Sequence, residues 1–338
     1  MIPAALTSRK PRTMGVAAII SGVLILAALI ALPYVASKFF VGVATLILAS
    51  AILASSINML AGDAGLVSLG HAGISMTAGY GVAWATKEDL PLGAQLAIAL
   101  AVTLGLTAVF GLATMRMSGV YYLMVTVALG MICWGIAHKW SAVTGGDNGL
   151  SGVAPPEPLQ AYWVYYFFVL VVFLLVTTAL AVVSRSPLGL ALRGLRDSES
   201  RMRSLGYSVS RLRFVAMMLS GPVAGLAGVL LAWRAEFISP RSGDFIASAL
   251  PLVMVVVGGI GTMLGPLVGA TIVILFSQVL SSYFDRWQTL LGLLFIAVVI
   301  TAPGGLVRGV RRVFVRRSDG VDPTRPPVAV SSDTSPAN

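Results

Sequence analysis

The residues that could do chemistry are few, and their spacing rules out most reactions. The chain has two histidines, His71 and His138, and one cysteine, Cys133. Ala72 and Lys139 follow the histidines, so neither opens the His-Glu-x-x-His helix of a zinc peptidase. None of the lysines, Lys10, Lys38, Lys87 and Lys139, follows a glycine, which excludes the phosphate-cradling P-loop of a nucleotide hydrolase. No Gly-x-Ser-x-Gly elbow presents a nucleophile. Gly259-Ile-Gly261-Thr-Met-Leu-Gly265 follows a strand-like run, but its third glycine comes one residue late for a dinucleotide fingerprint. Cys133 lies inside an apolar run, away from any metal-ligand spacing. No catalytic residue, resident cofactor or metal is expected, and the chain reads as a non-enzyme.

What stands out instead is a basic block. Arg185, Arg193, Arg196, Arg201, Arg203, Arg211 and Arg213 fall between Ser184 and Phe214, opposed only by Asp197 and Glu199. The block contains a short helix with punctuation at both ends. Asp197 or Ser198 can cap its start, Glu199 lies in the first turn, Arg201 and Arg203 follow, and Gly206 sits where a left-handed terminator belongs. Met202 and Leu205, three apart, are expected to share one apolar face. A small amphipathic helix on a basic loop is a docking element.

The elements that must position this loop are membrane spans. Hydrophobic residues make up 57% of the chain and charged residues 11%, which excludes a soluble globular domain. Apolar runs near the roughly 20 residues needed to cross a bilayer fall at 14–33, 39–61, 67–86, 92–115, 118–137, 162–183, 214–234, 246–259, 263–283 and 287–303. The eighth is short and flanked by glycine, as in a half-helix or one arm of a broken pair. The fold class is therefore all-α and polytopic, with about ten transmembrane helices. Residues 1–13 form an N-terminal segment, 14–305 the transmembrane domain with the loop 184–214, and 306–338 a basic, disordered tail. Arg9, Lys10 and Arg12 before the first run resemble a signal peptide, and Val35-Ala36-Ser37 a cleavage site. The run exceeds the usual length for such a region, so the first span is expected to be retained.

Charge supports the count. The net charge of +10 could suggest nucleic acid, but the basic residues cluster between spans, as orientation signals do. With ten spans, the N-terminal segment, Arg116, the arginine block and the tail share one side with seventeen basic residues. The other side holds Lys38, Lys87, Lys139, Arg234, Arg241 and Arg286. Both termini are then cytoplasmic. No charged residue sits in the middle of a span, so a proton relay of the kind that drives secondary carriers is not expected.

Two glycine-rich segments flank spans, 61–73 and 257–269. Gly261, Gly265 and Gly269, spaced by four, would put a flat stripe on a helix. Such clusters serve helix packing or mark broken helices that line a polar pathway. The candidate pathway residues are Asn58, Ser68, His71, Ser75, Gly258, Gly259 and Gly261, with His71 read first as a hydrogen-bonded packing group. Asp63 is expected to cap, or to face the cytoplasm, at the 61–66 turn. Ser277, Gln278 and Ser281 could join helices or face the pathway, and Asp147 and Asn148 read as turn residues.

Across roughly residues 40 to 305 the chain resembles the permease subunits of branched-chain amino acid ABC importers, specifically the LivM type. The segments that carry the resemblance are Gly65-Leu-Val-Ser-Leu-Gly-His-Ala-Gly73 with Gly79-Tyr80, Thr144-Gly-Gly-Asp-Asn-Gly-Leu150, Ser186 to Asp197, Leu205-Gly206, Ala224-Gly-Leu-Ala-Gly228, and Gly258-Gly-Ile-Gly261 with Gly265-Pro266. The resemblance implies a second permease subunit in a heterodimer, two cytoplasmic ATPase subunits that bind the ATP, and an external substrate-binding protein. It places the chain in the plasma (inner) membrane and implies uptake of leucine, isoleucine or valine. By position, Arg193, Arg196, Asp197, Glu199, Arg201, Met202, Arg203, Leu205 and Gly206 would contact an ATPase. Pro222 departs from the small residues usual at its place in the family. A permease for urea or a small amide, and a stand-alone secondary transporter, are the alternatives.

The charge distribution makes a topological prediction. Cysteine labelling or reporter fusions should place residues 200 and 320 on the cytoplasmic side and residue 150 outside. Residues 200 and 320 found on opposite faces would sink the ten-span arrangement.

Overall fold

The computed structural model describes residues 16–280 and short helical stretches between 289 and 306. The N-terminal segment 1–13, most of the tenth apolar run and the tail from 307 lie outside the described residues. The helices are α1 (Val16–Val35), α2 (Lys38–Asp63), α3 (His71–Lys87), α4 (Leu92–Thr114), α5 (Gly119–Lys139), the single turn α6 (Ser141–Thr144), α7 (Tyr162–Arg185), α8 (Pro187–Asp197), α9 (Glu199–Ser204), α10 (Val209–Ala235), α11 (Phe245–Gly258) and α12 (Gly265–Leu280). Each of the first nine apolar runs holds one helix. Among the described residues, α2, α4, α5, α7 and α10 are long and apolar enough to cross a membrane. Helices α3 and α11 are shorter, and α12 is described only as far as Leu280.

Those short helices have a local cause. The run expected at 67–86 becomes helical only at His71, because Gly65 takes φ +71° and the chain stays irregular to Gly70. Its backbone is satisfied inside the protein: Leu66 donates to the Leu60 carbonyl, Leu69 to the Thr126 hydroxyl and Gly70 to the Ser68 hydroxyl. Irregular backbone at membrane depth is tolerated only where protein supplies such partners. The second break falls between α11 and α12, where Gly259 and Gly261 take φ +115° and +73°. Gly261 therefore lies in the turn and not on a helical stripe. Gly258, Gly265 and Gly269 do the packing, because a Cβ on Gly258 would strike the Gly265 backbone and one on Gly269 the Met254 carbonyl.

Helix α10 is the axis, packed against α2, α3 and α4. Gly221 and Gly225, one turn apart, leave room for Thr107 and Thr103 of α4, and Gly228 admits the backbone of α3 at Ser75. Small residues at these contacts let backbones approach where no hydrophobic drive separates helix from lipid. The helix continues unbroken through Pro222. Tyr165 of α7 donates to the Leu230 carbonyl at 2.6 Å, tying α7 to the same axis.

The two ends of the bundle differ. At one end Asp63, Ser184, Arg196 and Thr262 meet, and this is the arginine end. At the other, a two-residue antiparallel pair joins β1 (Leu150–Ser151) to β2 (Phe237–Ile238). This strand-paired end is ordered further by Thr144, whose hydroxyl meets the Ala137 carbonyl at 2.6 Å, and by His138, 2.6 Å from Asp147. Asp147 and Asn148 occupy a 3-10 turn between left-handed glycines Gly145, Gly146 and Gly149, the turn role expected of them.

The α11–α12 contact yields a stability prediction. Gly269→Val should lower the unfolding midpoint in detergent, since overpacking a tight contact costs about 1–3 kcal/mol. Gly105→Ala, with nothing within 4 Å of the added methyl, should leave the midpoint unchanged or slightly higher.

Candidate docking loop and translocation pathway

The docking loop is a two-helix corner. Ser186 caps α8, its hydroxyl accepting from the Gly189 N–H at 3.3 Å, and Pro187 takes the first helical position. Ala191, Leu192 and Leu195 bury one face of α8. At Ser198 the chain is extended (φ −166°), so the helix stops and a second one starts, with the Ser198 hydroxyl accepting from Arg201 N–H. The docking helix is thus six residues, Glu199–Ser204, set on an eleven-residue base. It ends in a Schellman turn: Tyr207 N–H donates to the Met202 carbonyl, Gly206 N–H to the Arg203 carbonyl, and Gly206 takes φ +86°.

This geometry corrects the expected shared face. Met202 is 6% exposed and fills the notch left by Gly194 of α8, whereas Leu205 is 66% exposed. The missing Cβ of Gly194 draws Met202 inward, so Met202 anchors α9 and Leu205 alone of the pair faces outward. Leu190 and Tyr207 are also exposed on this loop, beside the exposed Arg201 and Arg203. Sequence periodicity missed both, because they lie outside the six-residue helix.

One ion pair, Glu199 to Arg213, and one hydrogen bond, Arg196 to the Gly62 carbonyl, hold the corner to the core. Glu199 accepts from Arg203 at 2.6 Å and from Arg213, which is 3% exposed in the first turns of α10. Helix α10 starts at Val209, so Arg211 and Arg213 belong to it rather than to a free loop. Arg196 donates to the Gly62 carbonyl at the end of α2 and pairs with Asp197 at 3.1 Å. Asp63 accepts from the Ser184 hydroxyl at 2.9 Å, so it joins α2 to α7 instead of capping its own turn. Arg193 is partly buried on α8.

Directly beneath, the two glycine-rich segments meet. The Asn58 side-chain amide donates to the Thr262 carbonyl at 3.0 Å and accepts from the Gly261 N–H at 2.7 Å. Gly62 has its backbone against Gly261, where a Cβ would sit 2.6 Å from the Gly261 Cα. What remains between α2, α7 and this turn is a pocket of about 50 Å³. The helices pack closely here.

The strand-paired half is open. A cleft of about 520 Å³ runs between α2, α3, α10 and α11, with Ser50, Ser75 and Met254 in its walls and Arg234 and Gln278 among its lining. A second, of about 550 Å³, shares Arg234 and Gln278 and adds Lys38 and Glu236. Of the candidate pathway residues, Ser75 lines the first cleft, while Asn58 and Gly261 line the small pocket. Gly258 and Gly259 shape the turn. Ser68 and His71 line neither cleft: His71 is fully buried, with Nδ1 2.9 Å from the Ser68 hydroxyl and Nε2 2.6 Å from that of Ser220. Both ring nitrogens are engaged, so His71 joins α3 to α10 as a packing group. Arg234 entered the sequence reading only as a loop charge, and nothing in its local pattern marks it as a cleft residue.

The buried Arg213 makes the corner testable. Removing its partner with Glu199→Gln leaves a desolvated cation short of an acceptor, a loss of about 1–3 kcal/mol. Helix α9 should loosen, and a cysteine at Met202→Cys should react with a maleimide several-fold faster in the Glu199→Gln background. Equal rates in both backgrounds would show that Glu199 does not hold the corner.

Comparison with known proteins gives the family. Residues 39–300 match the family described as the branched-chain amino acid transport system / permease component. The high-affinity branched-chain amino acid transport system permease protein LivM of Salmonella typhimurium is 30% identical over 307 residues, covering 82% of this chain and 72% of that protein. LivM of Escherichia coli gives the same figures. The autoinducer 2 import system permease protein LsrC of Klebsiella pneumoniae is 31% identical over 26% of this chain and 27% of its own length. The resemblance read from the sequence motifs therefore holds, and this multi-pass membrane protein belongs to the branched-chain amino acid transport permease family.

Proposed function

We propose that this chain is one transmembrane half of an ATP-driven importer that carries leucine, isoleucine or valine into the cell. In this reading it crosses the plasma (inner) membrane ten times with both termini cytoplasmic. It pairs with a second permease, receives substrate from an external binding protein and docks two ATPase subunits. The observation that carries the reading is the α8–α9 corner, which offers Leu205, Tyr207, Arg201 and Arg203 outward while Arg196 and Glu199 tie it to α2 and α10. A docking surface so anchored transmits force to the ends of those helices, where Asn58 holds the α11–α12 turn. The family match supports the substrate class. A zwitterion needs no full counter-charge at mid-membrane if backbone dipoles and hydroxyls face it.

Transport tests both claims. Binding-protein-dependent uptake of branched-chain amino acids into vesicles should require the ATPase subunits. Leu205→Asp should insert normally yet fall at least tenfold in ATPase co-purification and uptake together, since a carboxylate buried without a partner costs several kcal/mol. Uptake driven by a proton gradient without ATPases, or wild-type transport by Leu205→Asp, would refute the coupling role. Loss of urea or amide uptake on deletion, with branched-chain amino acid flux intact, would refute the substrate.

A further inference from the structure

Arg234 sits in the last turn of α10, beyond any residue the docking or packing arguments use. Its Nε donates to the Gly42 carbonyl of α2 at 3.1 Å, which fixes the guanidinium between α10 and α2. The clefts of about 520 and 550 Å³ are both lined by it, so the guanidinium stands between the inner cleft among α2, α3, α10 and α11 and the outer one beside Lys38 and Glu236. A guanidinium carries five N–H donors in a planar fork, and the Gly42 bond uses one nitrogen. None of the four ion pairs among the described residues involves Arg234. Glu236, two residues on, lines the outer cleft without pairing with it.

A cation at the end of a helix near a bilayer surface is ordinarily read as a snorkelling side chain reaching for headgroups. This one instead points into the protein, bonded across to α2. The inner cleft beside it has aliphatic walls, among them Leu46, Leu53, Leu231 and Leu250, with the hydroxyls of Ser50 and Ser75 at intervals. Its volume of about 520 Å³ lies in the range of small-molecule sites. One fixed positive fork at the rim of an apolar chamber matches a ligand with one carboxylate and a branched hydrocarbon tail.

We infer that Arg234 holds the carboxylate of the permeating amino acid at the entrance of the inner cleft, with the aliphatic side chain lodged against the apolar wall below. Arg234 then acts as a specificity-determining residue. It admits α-carboxylates, and it repels simple amines and inorganic cations that would fit the cleft by size. This rests on the importer reading above and adds to it a recognition site within the permease itself, separate from the external binding protein.

The test uses the purified complex of both permeases and ATPases, without binding protein, and measures radiolabelled leucine binding in competition with leucinamide and with 4-methylpentanoate. Wild type should bind leucine, 4-methylpentanoate should compete, and leucinamide, which lacks the carboxylate, should compete at least tenfold less well than leucine. Arg234→Gln should weaken leucine at least tenfold and bring leucine and leucinamide to similar affinity. Arg234→Lys, which keeps the charge and loses the fork, should restore part of the preference. A structural role through Gly42 alone would lower the unfolding midpoint without changing the ratio of leucine to leucinamide, and that result overturns the inference. So does leucine binding unchanged in Arg234→Gln. A wild-type complex that binds no leucine while binding-protein-dependent uptake persists overturns the carboxylate site alone; loss of that uptake in the transport assay above is what overturns the importer reading.

Discussion

A backbone amide that leaves its helix inside hydrocarbon has no water to turn to, and this constraint shapes the molecule. Among the described residues, helical geometry breaks before α3 and, at the arginine end, between α11 and α12. In both, polar side chains from a distant helix complete the hydrogen bonding. Thr126 serves the first break and Asn58 the second. Because each rescue comes from elsewhere in the chain, neither break can form before the helices around it are in place. The breaks and the tertiary packing are a single cooperative structure.

The arginine end inherits its form from that arrangement. Helix α2 brings Asn58, Gly62 and Asp63 to the same few ångströms of the bundle, and three different parts of the chain attach there. Thr262 binds Asn58, Arg196 binds the Gly62 carbonyl, and Ser184 binds Asp63. A displacement of the α8–α9 corner therefore acts on the end of α2, which also holds the α11–α12 turn. At the other end, among the described residues, a two-residue strand pair and a handful of loop hydrogen bonds leave clefts between the helices, two of which share Arg234.

Much of this was legible in the sequence, for reasons of period and composition. Apolar length located the helices to within a few residues, since a span must be long and uncharged wherever it sits. Ser198 and Gly206 announced the ends of α9, because caps are local. What stayed hidden depended on partners far along the chain. Met202 and Leu205 look equivalent until Gly194 is known to leave a notch for one of them. Nothing near His71 points to Ser220 across the bundle. Gly261 fits a helical stripe by spacing and is in the turn by geometry. Arg234 reads as an orientation charge, and only the course of α2 beside α10 turns it into a cleft residue.

The close packing at the arginine end includes an amide against a peptide. Asn58 neither titrates nor carries charge, so its hold on Gly261 and Thr262 is not screened by salt and does not vary with pH across the physiological range. The charged contacts lie in the α8–α9 corner, where the more exposed Arg196–Asp197 and Arg203–Glu199 pairs respond to ionic strength. The arginine end thus combines two kinds of contact: charged pairs at the exposed α8–α9 corner respond to ionic strength, while the amide–peptide contact of α2 with the α11–α12 turn keeps the same strength in dilute and in concentrated salt.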